Sequence, residues 1–279
     1  MTREELDAQY DTSRPLPPGA VPAYLERFAA ESARARETCA FETIRYGAHE
    51  RETLDFFPNG GAGAPLFVWV HGGYWRRMSK DESSLVAPPL VRAGANVAVL
   101  NYPLAPGPTL DEIVASARAG FAAATERARA AGGDAERTFA GGHSVGAQLA
   151  AMIACAFPVR GLFALSGLYD LEPLRHSHVN DWIAMDAATA ERNSPLQHRP
   201  LGTPELVIAT GEREQSEFRR QQRDFAHAWR MWGGTVRAIP APGHDHFSIV
   251  LELIDDAGPL TRALSDMIFG TADGRTGKQ

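Results

Sequence analysis

The sequence has little of several features that mark whole classes of protein. Cysteine occurs only at Cys39 and Cys155 among 279 residues, in neither a metal-binding nor a disulfide pattern. No apolar run reaches the length of a membrane span, and the N-terminus carries acidic residues where a signal peptide needs an apolar core. We therefore expect a soluble, cytoplasmic protein with reduced thiols, no metal or other cofactor and no membrane partner.

Excess positive charge is also lacking. The formal net charge is −6, and the arginines are scattered along the chain, so a nucleic-acid partner is not expected. Hydrophobic residues make up 44% of the chain and charged residues 22%, as in an ordinary globular protein. We expect an N-terminal arm over 1–19, where three prolines disfavour regular structure, one domain over 20–269 and a flexible tail over 270–279.

What the sequence does contain is an alternation of strand and helix patterns. Short, almost continuous apolar runs are typical of strands that are covered on both faces. They predict strands near 41–46, 51–57, 66–70, 96–102, 137–141, 161–167, 205–211 and 235–241. Helical patterns cover 22–38, 110–131, 145–157, 216–232 and 248–268. This order predicts an α/β fold with a mostly parallel central sheet, helices on both faces and a small insertion near 168–203.

A G-x-S-x-G pattern at 142–146 places Ser144 between a predicted strand and a predicted helix. By chance, this pattern alone is expected in about one of every ten chains of this size. Its setting is the one that a nucleophile elbow requires, with the serine at a helix N-terminus that favours developing negative charge. The alternative is a glycine-rich turn with an inert serine.

A nucleophilic serine needs a base and an acid, which follow it along the chain in this kind of fold. We choose His246, at the junction after the last predicted strand, over its neighbour His244. A solvated turn or a metal-binding His-x-His pair is the alternative, but no further ligands accompany it. For the acid, the residues leave three candidates open, which are Glu212, Glu214 and Glu217.

The segment "VHGGYW" follows the third predicted strand, where the second donor of an oxyanion hole is expected. We assign the hole to Gly72, Gly73, Tyr74 and Val145. For His71 we prefer the interpretation that it braces the loop by hydrogen bonds and transfers no proton. Residues proposed to contact substrate are Tyr74, Trp75, His143, Tyr169 and Trp182, although such aromatic residues equally often pack in a core.

Several longer motifs together resemble one family. They are "LDAQYDTSRPLP" (6–17), "HGGYW" (71–75), "GHSVGA" (142–147), "SGLYDLEPL" (166–174), "NSPL" (193–196) and "GHDHF" (243–247). The combination looks like the arylformamidase, or kynurenine formamidase, branch of the α/β-hydrolase superfamily. By this resemblance Ser144 matches the family nucleophile and His246 its base. The family's acid is an aspartate three residues before a Glu-Phe pair, which implies that Glu214 takes its place.

The resemblance implies a serine hydrolase that cleaves a small ester or an N-formyl or N-acyl arylamine without a cofactor. The sequence leaves a general short-chain carboxylesterase and a carbamate or amide hydrolase open as alternatives. From a different class, an inactive binding protein with a hydrolase fold is a further alternative. A homodimer stays open beside a monomer.

Overall fold

The computed structural model describes residues 1–270. Of the predicted flexible tail, positions 271–279 lie outside the described residues. Within the described part, eight strands form one sheet in the order β1-β2-β4-β3-β5-β6-β7-β8. Their bounds are β1 Glu42–Arg45, β2 Thr53–Phe57, β3 Leu66–Val70, β4 Asn96–Leu100, β5 Thr138–His143, β6 Gly161–Leu165, β7 Glu205–Ala209 and β8 Val236–Ala238.

The sheet is parallel from β4 across to β8, and β2 pairs antiparallel with both β1 and β4. All eight strands predicted from the apolar runs are present. The mostly parallel α/β-hydrolase architecture is confirmed, and the covered central strands explain why their sequences do not alternate between polar and apolar residues.

Eleven helices occur within residues 1–270. They are α1 Arg3–Tyr10, α2 Ala20–Thr38, α3 Ala87–Ala93, α4 Leu110–Ala130, α5 Val145–Ala154, α6 Glu172–Arg175, α7 Asn180–Ile183, α8 Ala187–Asn193, α9 Ser216–Met231, α10 Ser248–Leu251 and α11 Pro259–Phe269. Short 3-10 turns lie at Lys80–Glu82, Ser84–Val86, Pro195–Gln197 and Glu252–Ile254. In the described part of the chain, no helix is both long and apolar enough to cross a bilayer.

The two faces of the sheet bury separate halves of the core. Leu66, Val68 and Val70 of β3 pack on the side that holds α4, α5 and α9, whereas Phe67 and Trp69 pack on the side of α2, α3 and α11. Alternate residues of one strand thus serve opposite faces, as the pleat requires. Because parallel strands all end at the same edge, the loops after β3, β5, β6, β7 and β8 meet there.

The N-terminal segment differs from the prediction of irregular structure. Residues 3–10 form α1, whose N-terminus carries a capping box: the amide of Glu5 donates to Oγ1 of Thr2 (3.2 Å), and the Glu5 carboxylate accepts from the amide of Thr2 (2.7 Å). The three prolines follow the end of this helix. Leu6 and Tyr10, one turn apart, are buried against the domain.

The predicted helix over 248–268 is also interrupted. It divides into α10, a 3-10 turn and α11, because Gly258 precedes Pro259 at the first position of the last helix. Proline cannot donate the amide hydrogen bond that a continuous helix would need there. The predicted insertion at 168–203 contains α6, α7 and α8.

The capping box at the start of α4 stabilises the first turn of this helix, and its contribution can be tested. Oγ1 of Thr109 accepts from the amide of Glu112 (3.3 Å), and the Glu112 carboxylate accepts from the amide of Thr109 (2.8 Å). Thr109→Ala should lower the free energy of unfolding by about 1 kcal/mol, measured by urea denaturation. The matched control is Thr125→Ala in the same helix, where the hydroxyl only bonds the Phe121 carbonyl within the helix. An equal loss in both variants would contradict the capping role.

Candidate active site

Ser144 lies in a tight turn between β5 and α5. Its backbone has φ 57° and ψ −125°, a positive-φ conformation that costs a non-glycine residue on the order of 1–3 kcal/mol. The amide of Ser144 donates to the Leu165 carbonyl (2.8 Å), which ties the turn to the end of β6. The Ser144 side chain caps no helix amide and lines a cavity. Its hydroxyl takes part in no hydrogen bond among residues 1–270.

The glycines on either side of Ser144 allow this turn to close. A Cβ atom at Gly142 would lie 2.3 Å from the Gly146 carbonyl carbon, and one at Gly146 would lie 2.1 Å from the Val70 carbonyl oxygen. Both distances are far inside van der Waals contact. Gly142 is therefore required where the strand meets the first turn of α5, and Gly146 is required where the elbow packs against the end of β3.

His246 and Glu214 form a buried pair at the same edge of the sheet. Nδ1 of His246 lies 2.6 Å from Oε2 of Glu214. The other carboxylate oxygen accepts from the amide of Gly211 (2.6 Å) and from the hydroxyl of Ser166 (2.5 Å). Because Glu214 engages Nδ1, the ring nitrogen of His246 left for proton transfer is Nε2, and His246 lines the cavity together with Ser144.

The three candidate acids have different surroundings. Only Glu214 contacts His246; Glu212 is exposed and accepts from the amide of Gly243 (2.8 Å). Glu217 is buried, accepts from the Tyr10 hydroxyl (3.0 Å) and pairs with Arg220 (2.9 Å). This geometry favours Glu214 among the three. The neighbouring His244 takes a separate partner, with its Nε2 3.5 Å from the Glu252 carboxylate.

His143 fixes the backbone of His246. Its Nε2 lies 2.8 Å from the His246 carbonyl oxygen, and because a carbonyl only accepts, Nε2 carries the proton. Burial lowers the pKa of His143 well below its usual value, so the ring is neutral. His143 also lines the cavity, and its ring centroid lies 4.6 Å from that of His246. The residue before Ser144 thus fixes the position of the His246 loop relative to the elbow.

The "HGGYW" loop passes beside the elbow. A Cβ atom at Gly72 would lie 3.3 Å from Cβ of Ser144, so the backbone approaches the serine closely. Gly73 has φ 106° and its carbonyl accepts from the amides of Arg76 (3.0 Å) and Arg77 (2.9 Å), which closes a turn. Among the hydrogen bonds of residues 1–270, none uses the amide of Gly73, Tyr74 or Val145 as a donor to another protein group. These amides are free to donate to a ligand oxygen.

His71 is a brace in this loop. Its Nδ1 lies 2.7 Å from the Gly72 carbonyl, and its ring stacks on Tyr102 at 4.3 Å between centroids. The Tyr102 hydroxyl donates to the His71 carbonyl (3.0 Å). Burial lowers the pKa of His71 to about 3, so the ring stays neutral. This agrees with the interpretation that His71 supports the loop by hydrogen bonds.

The residues predicted to contact substrate fall into two groups. Tyr74 and Trp182 line the cavity together with His143, and the rings of Tyr74 and Trp182 meet edge to face at 6.3 Å. Trp75 and Tyr169 do not line it, and the prediction for these two is corrected. Both are fully buried.

Packing explains the positions of Trp75 and Tyr169. The Trp75 indole donates to Oε1 of Gln148 in α5 (3.1 Å), so it anchors the loop to the helix behind the elbow. The Tyr169 ring stacks on Phe225 at 4.0 Å in the core under α9. Both aromatic rings therefore stabilise the edge of the sheet on which the cavity lies.

The cavity itself has a volume of about 370 Å³, within the range of small-molecule sites. The segment 10–13 and three residues of α2, Val21, Leu25 and Phe28, form a wall facing Ser144 and His246. Sequence reasoning missed this wall and also missed Ser166, the second donor to Glu214. The signals for the wall were the Thr2–Glu5 capping box and the one-turn spacing of Leu6 and Tyr10.

Comparisons with known proteins identify the fold and the family of the chain. Residues 67–193 match the model of a family described as having the α/β-hydrolase fold. The chain is 32% identical to a kynurenine formamidase of Danio rerio, over 96% of this chain and 97% of that protein. It is 29% identical to an isoprenylcysteine alpha-carbonyl methylesterase of Arabidopsis thaliana, over 75% of this chain and 57% of that protein.

A solved structure is similar over almost the whole chain. The crystal structure of a putative thioesterase from Silicibacter sp. TM1040 superposes with a TM-score of 0.83 at 26% identity, covering 95% of this chain and 98% of that one. The sequence match over nearly the full length, the hydrolase fold and the elbow lead to one assignment. The protein is a hydrolase that belongs to the kynurenine formamidase family of the α/β-hydrolase fold.

Proposed function

We propose that this hydrolase cleaves N-formyl arylamines of the kynurenine type through a formyl-enzyme on Ser144. The observation that carries the proposal is the buried Glu214–His246 hydrogen bond of 2.6 Å beside the cavity that Ser144 lines. Sequence similarity to a kynurenine formamidase over 96% of the chain supports this substrate class.

In the first half of the reaction, Oγ of Ser144 attacks the formyl carbon while Nε2 of His246 takes the hydroxyl proton. The carbonyl oxygen becomes an oxyanion, and the free amides of Gly73, Tyr74 and Val145 are its donors. Glu214 holds Nδ1–H of His246 and stabilises the imidazolium that forms. The tetrahedral intermediate then collapses, the C–N bond breaks, and His246 protonates the departing arylamine.

In the second half, water replaces the arylamine. His246 takes a proton from the water as its oxygen attacks the formyl ester, and the same amides receive the second oxyanion. When this intermediate collapses, His246 returns the proton to Oγ of Ser144, and formic acid leaves and loses its proton to the solvent. The cycle ends with the enzyme in its starting protonation state and needs no cofactor.

The opening of the cavity carries charged residues that suit the α-amino acid group of such a substrate. Arg76 and Arg77 are exposed there, and no ion pair among residues 1–270 includes either of them. The Arg76 guanidinium lies over the Trp182 ring at 4.9 Å, which holds it beside the opening. Asp11 lines the same cavity. N-formylkynurenine carries a carboxylate and an ammonium group, for which these residues are complementary partners.

A short-chain ester is the second candidate substrate, favoured by the methylesterase and thioesterase relatives. The same residues would transfer its acyl group by the same steps. A cytoplasmic location and a homodimer stay predictions.

Replacing the nucleophile tests the proposal directly. Ser144→Ala should lower kcat on N-formylkynurenine by at least about 10⁴-fold, because the attacking oxygen is gone. The Ser144 side chain caps no helix amide, so the thermal midpoint should stay close to that of the wild type. Activity within about tenfold of the wild type would exclude Ser144 as the nucleophile.

The two glutamates after β7 offer a matched pair of variants. Glu214→Ala removes the partner of His246 and should reduce kcat on the order of 10³- to 10⁴-fold. Glu212→Ala, two residues earlier, removes an exposed carboxylate that does not contact His246 and should change kcat by less than about threefold. Equal losses in steady-state assays of both variants would place the acid elsewhere.

The charges at the mouth predict substrate discrimination. The wild type should have a higher kcat/KM on N-formylkynurenine than on p-nitrophenyl acetate. Arg76→Gln should raise KM for N-formylkynurenine about three- to tenfold, because a charge-assisted contact to the carboxylate is lost. Formanilide, which has the same scissile bond without the charged chain, is the matched substrate and should show no change in KM. A higher kcat/KM on the ester, together with an unchanged KM of Arg76→Gln on all three substrates, would favour the carboxylesterase hypothesis.

A further inference from the structure

The Tyr74 side chain connects the "HGGYW" loop to the N-terminal segment. Its hydroxyl donates to the Tyr10 carbonyl oxygen at 2.6 Å, across 64 positions of sequence. Burial raises the pKa of Tyr74 well above its usual value, so the hydroxyl keeps its proton and stays a donor. The amide of the same residue is one of those without a protein acceptor among residues 1–270, in the loop that passes Ser144.

This loop has a backbone that needs external support. Tyr74 has φ 52° and Trp75 has φ 56°, so two consecutive non-glycine residues are left-handed. Such conformations persist only where the surroundings fix them. Trp75 is fixed by its indole bond to Gln148 and by its carbonyl, which accepts from the Ala105 amide (2.8 Å).

Tyr74 itself is held at both ends. Its carbonyl accepts from the Trp182 indole (3.1 Å), and its hydroxyl reaches the Tyr10 carbonyl. The first bond fixes the peptide that follows Tyr74. The second fixes the side chain, and through Cα it limits the rotation of the Tyr74 amide.

The partner of Tyr74 is firmly anchored. The Tyr10 ring is fully buried, its hydroxyl donates to Glu217 (3.0 Å), and its edge meets the Phe218 ring at 6.1 Å. Oε1 of Gln9 accepts from the Glu217 amide (3.1 Å). The N-terminal segment is therefore attached to the first turn of α9, directly after the loop that carries Glu214.

These contacts join the two halves of the site through a segment that belongs to neither. On one side lies the acid loop before α9, and on the other lies the oxyanion loop after β3. We infer that Tyr74 is a positioning residue, whose hydroxyl bond to the Tyr10 carbonyl aims the amides of the oxyanion loop at the tetrahedral intermediate. This inference rests on the proposed function of Ser144 and of the loop.

Tyr74→Phe tests it with the least change in shape. The variant keeps the ring and its edge contact with Trp182 and removes only the bond to the Tyr10 carbonyl. We expect kcat on N-formylkynurenine to fall about 10- to 100-fold, since slightly misaimed donors lose transition-state stabilisation. KM should change by less than about twofold, because the oxyanion does not exist in the bound substrate. Affinity for an aryl trifluoromethyl ketone, whose serine adduct carries an oxyanion, should fall by a similar factor.

The matched control is Tyr46→Phe. The Tyr46 hydroxyl likewise donates to a backbone carbonyl, that of Asn101 (2.5 Å), in a half-buried position that does not line the cavity. It should lose thermal stability to an extent similar to Tyr74→Phe and keep the wild-type kcat. Tyr10→Phe is a second variant: it keeps the carbonyl that Tyr74 uses but loosens its anchor to Glu217, so it should show a smaller kcat loss of the same kind.

Unchanged kcat in Tyr74→Phe, or a loss that appears only in KM or equally in Tyr46→Phe, would overturn the inference. If Ser144→Ala is inactive while Tyr74→Phe turns over at the wild-type rate, the proposed function stands and only the positioning role fails. If Ser144→Ala is active, the proposed function fails. A lower affinity of Tyr74→Phe for the ketone would then no longer report on catalysis.

Discussion

The hydrogen bond between Nδ1 of His246 and the Glu214 carboxylate organises the carboxyl edge of the sheet. A buried carboxylate is costly unless its oxygens are satisfied, and Glu214 meets this condition with His246, Ser166 and the amide of Gly211. Each partner comes from the end of a different strand or from the turn after it. The carboxylate therefore fixes the relative positions of three loops, and in the proposed mechanism it also fixes the tautomer of the base.

The strand order explains why residues so far apart in sequence meet. In the sheet, β3, β5, β6, β7 and β8 are parallel neighbours, and their following loops carry in turn Gly73, Ser144, Ser166, Glu214 and His246. The residues proposed as oxyanion donor, nucleophile, acid and base thus lie along one edge, in the order in which the strands lie side by side. The glycines at 142 and 146 allow the elbow to approach β3 closely enough to place its serine beside the oxyanion loop.

The sequence predicted much of this arrangement because its signals are local. Eight apolar runs became eight strands, and the elbow and the "HGGYW" loop each depend on a short stretch of chain. Which of three glutamates faces His246 is not local, since it depends on how the turn after β7 folds against β6 and β8. The structure favours Glu214, as the family resemblance implied.

Other features were hidden for similar reasons. Trp75 and Tyr169 stand beside site motifs in the sequence, yet the packing of α5 and α9 directs them into the core. The prolines at 15, 17 and 18 led to the prediction of irregular structure at the N-terminus, but a helix lies before them and ends at Tyr10. That helix brings Tyr10 to the cavity wall, where long-range contacts with Glu217 and Tyr74 hold it in a place that no local pattern specifies.

The proposed function requires Ser144 to be an activated nucleophile. The most direct measurement is intact mass followed by peptide mapping after incubation with a fluorophosphonate, which reacts with a serine hydroxyl only where a base and oxyanion donors assist it. We expect a single adduct, located on Ser144, that forms in the wild type and is absent from Ser144→Ala. An unmodified wild-type protein, or an adduct that maps to another residue and persists in Ser144→Ala, would contradict it.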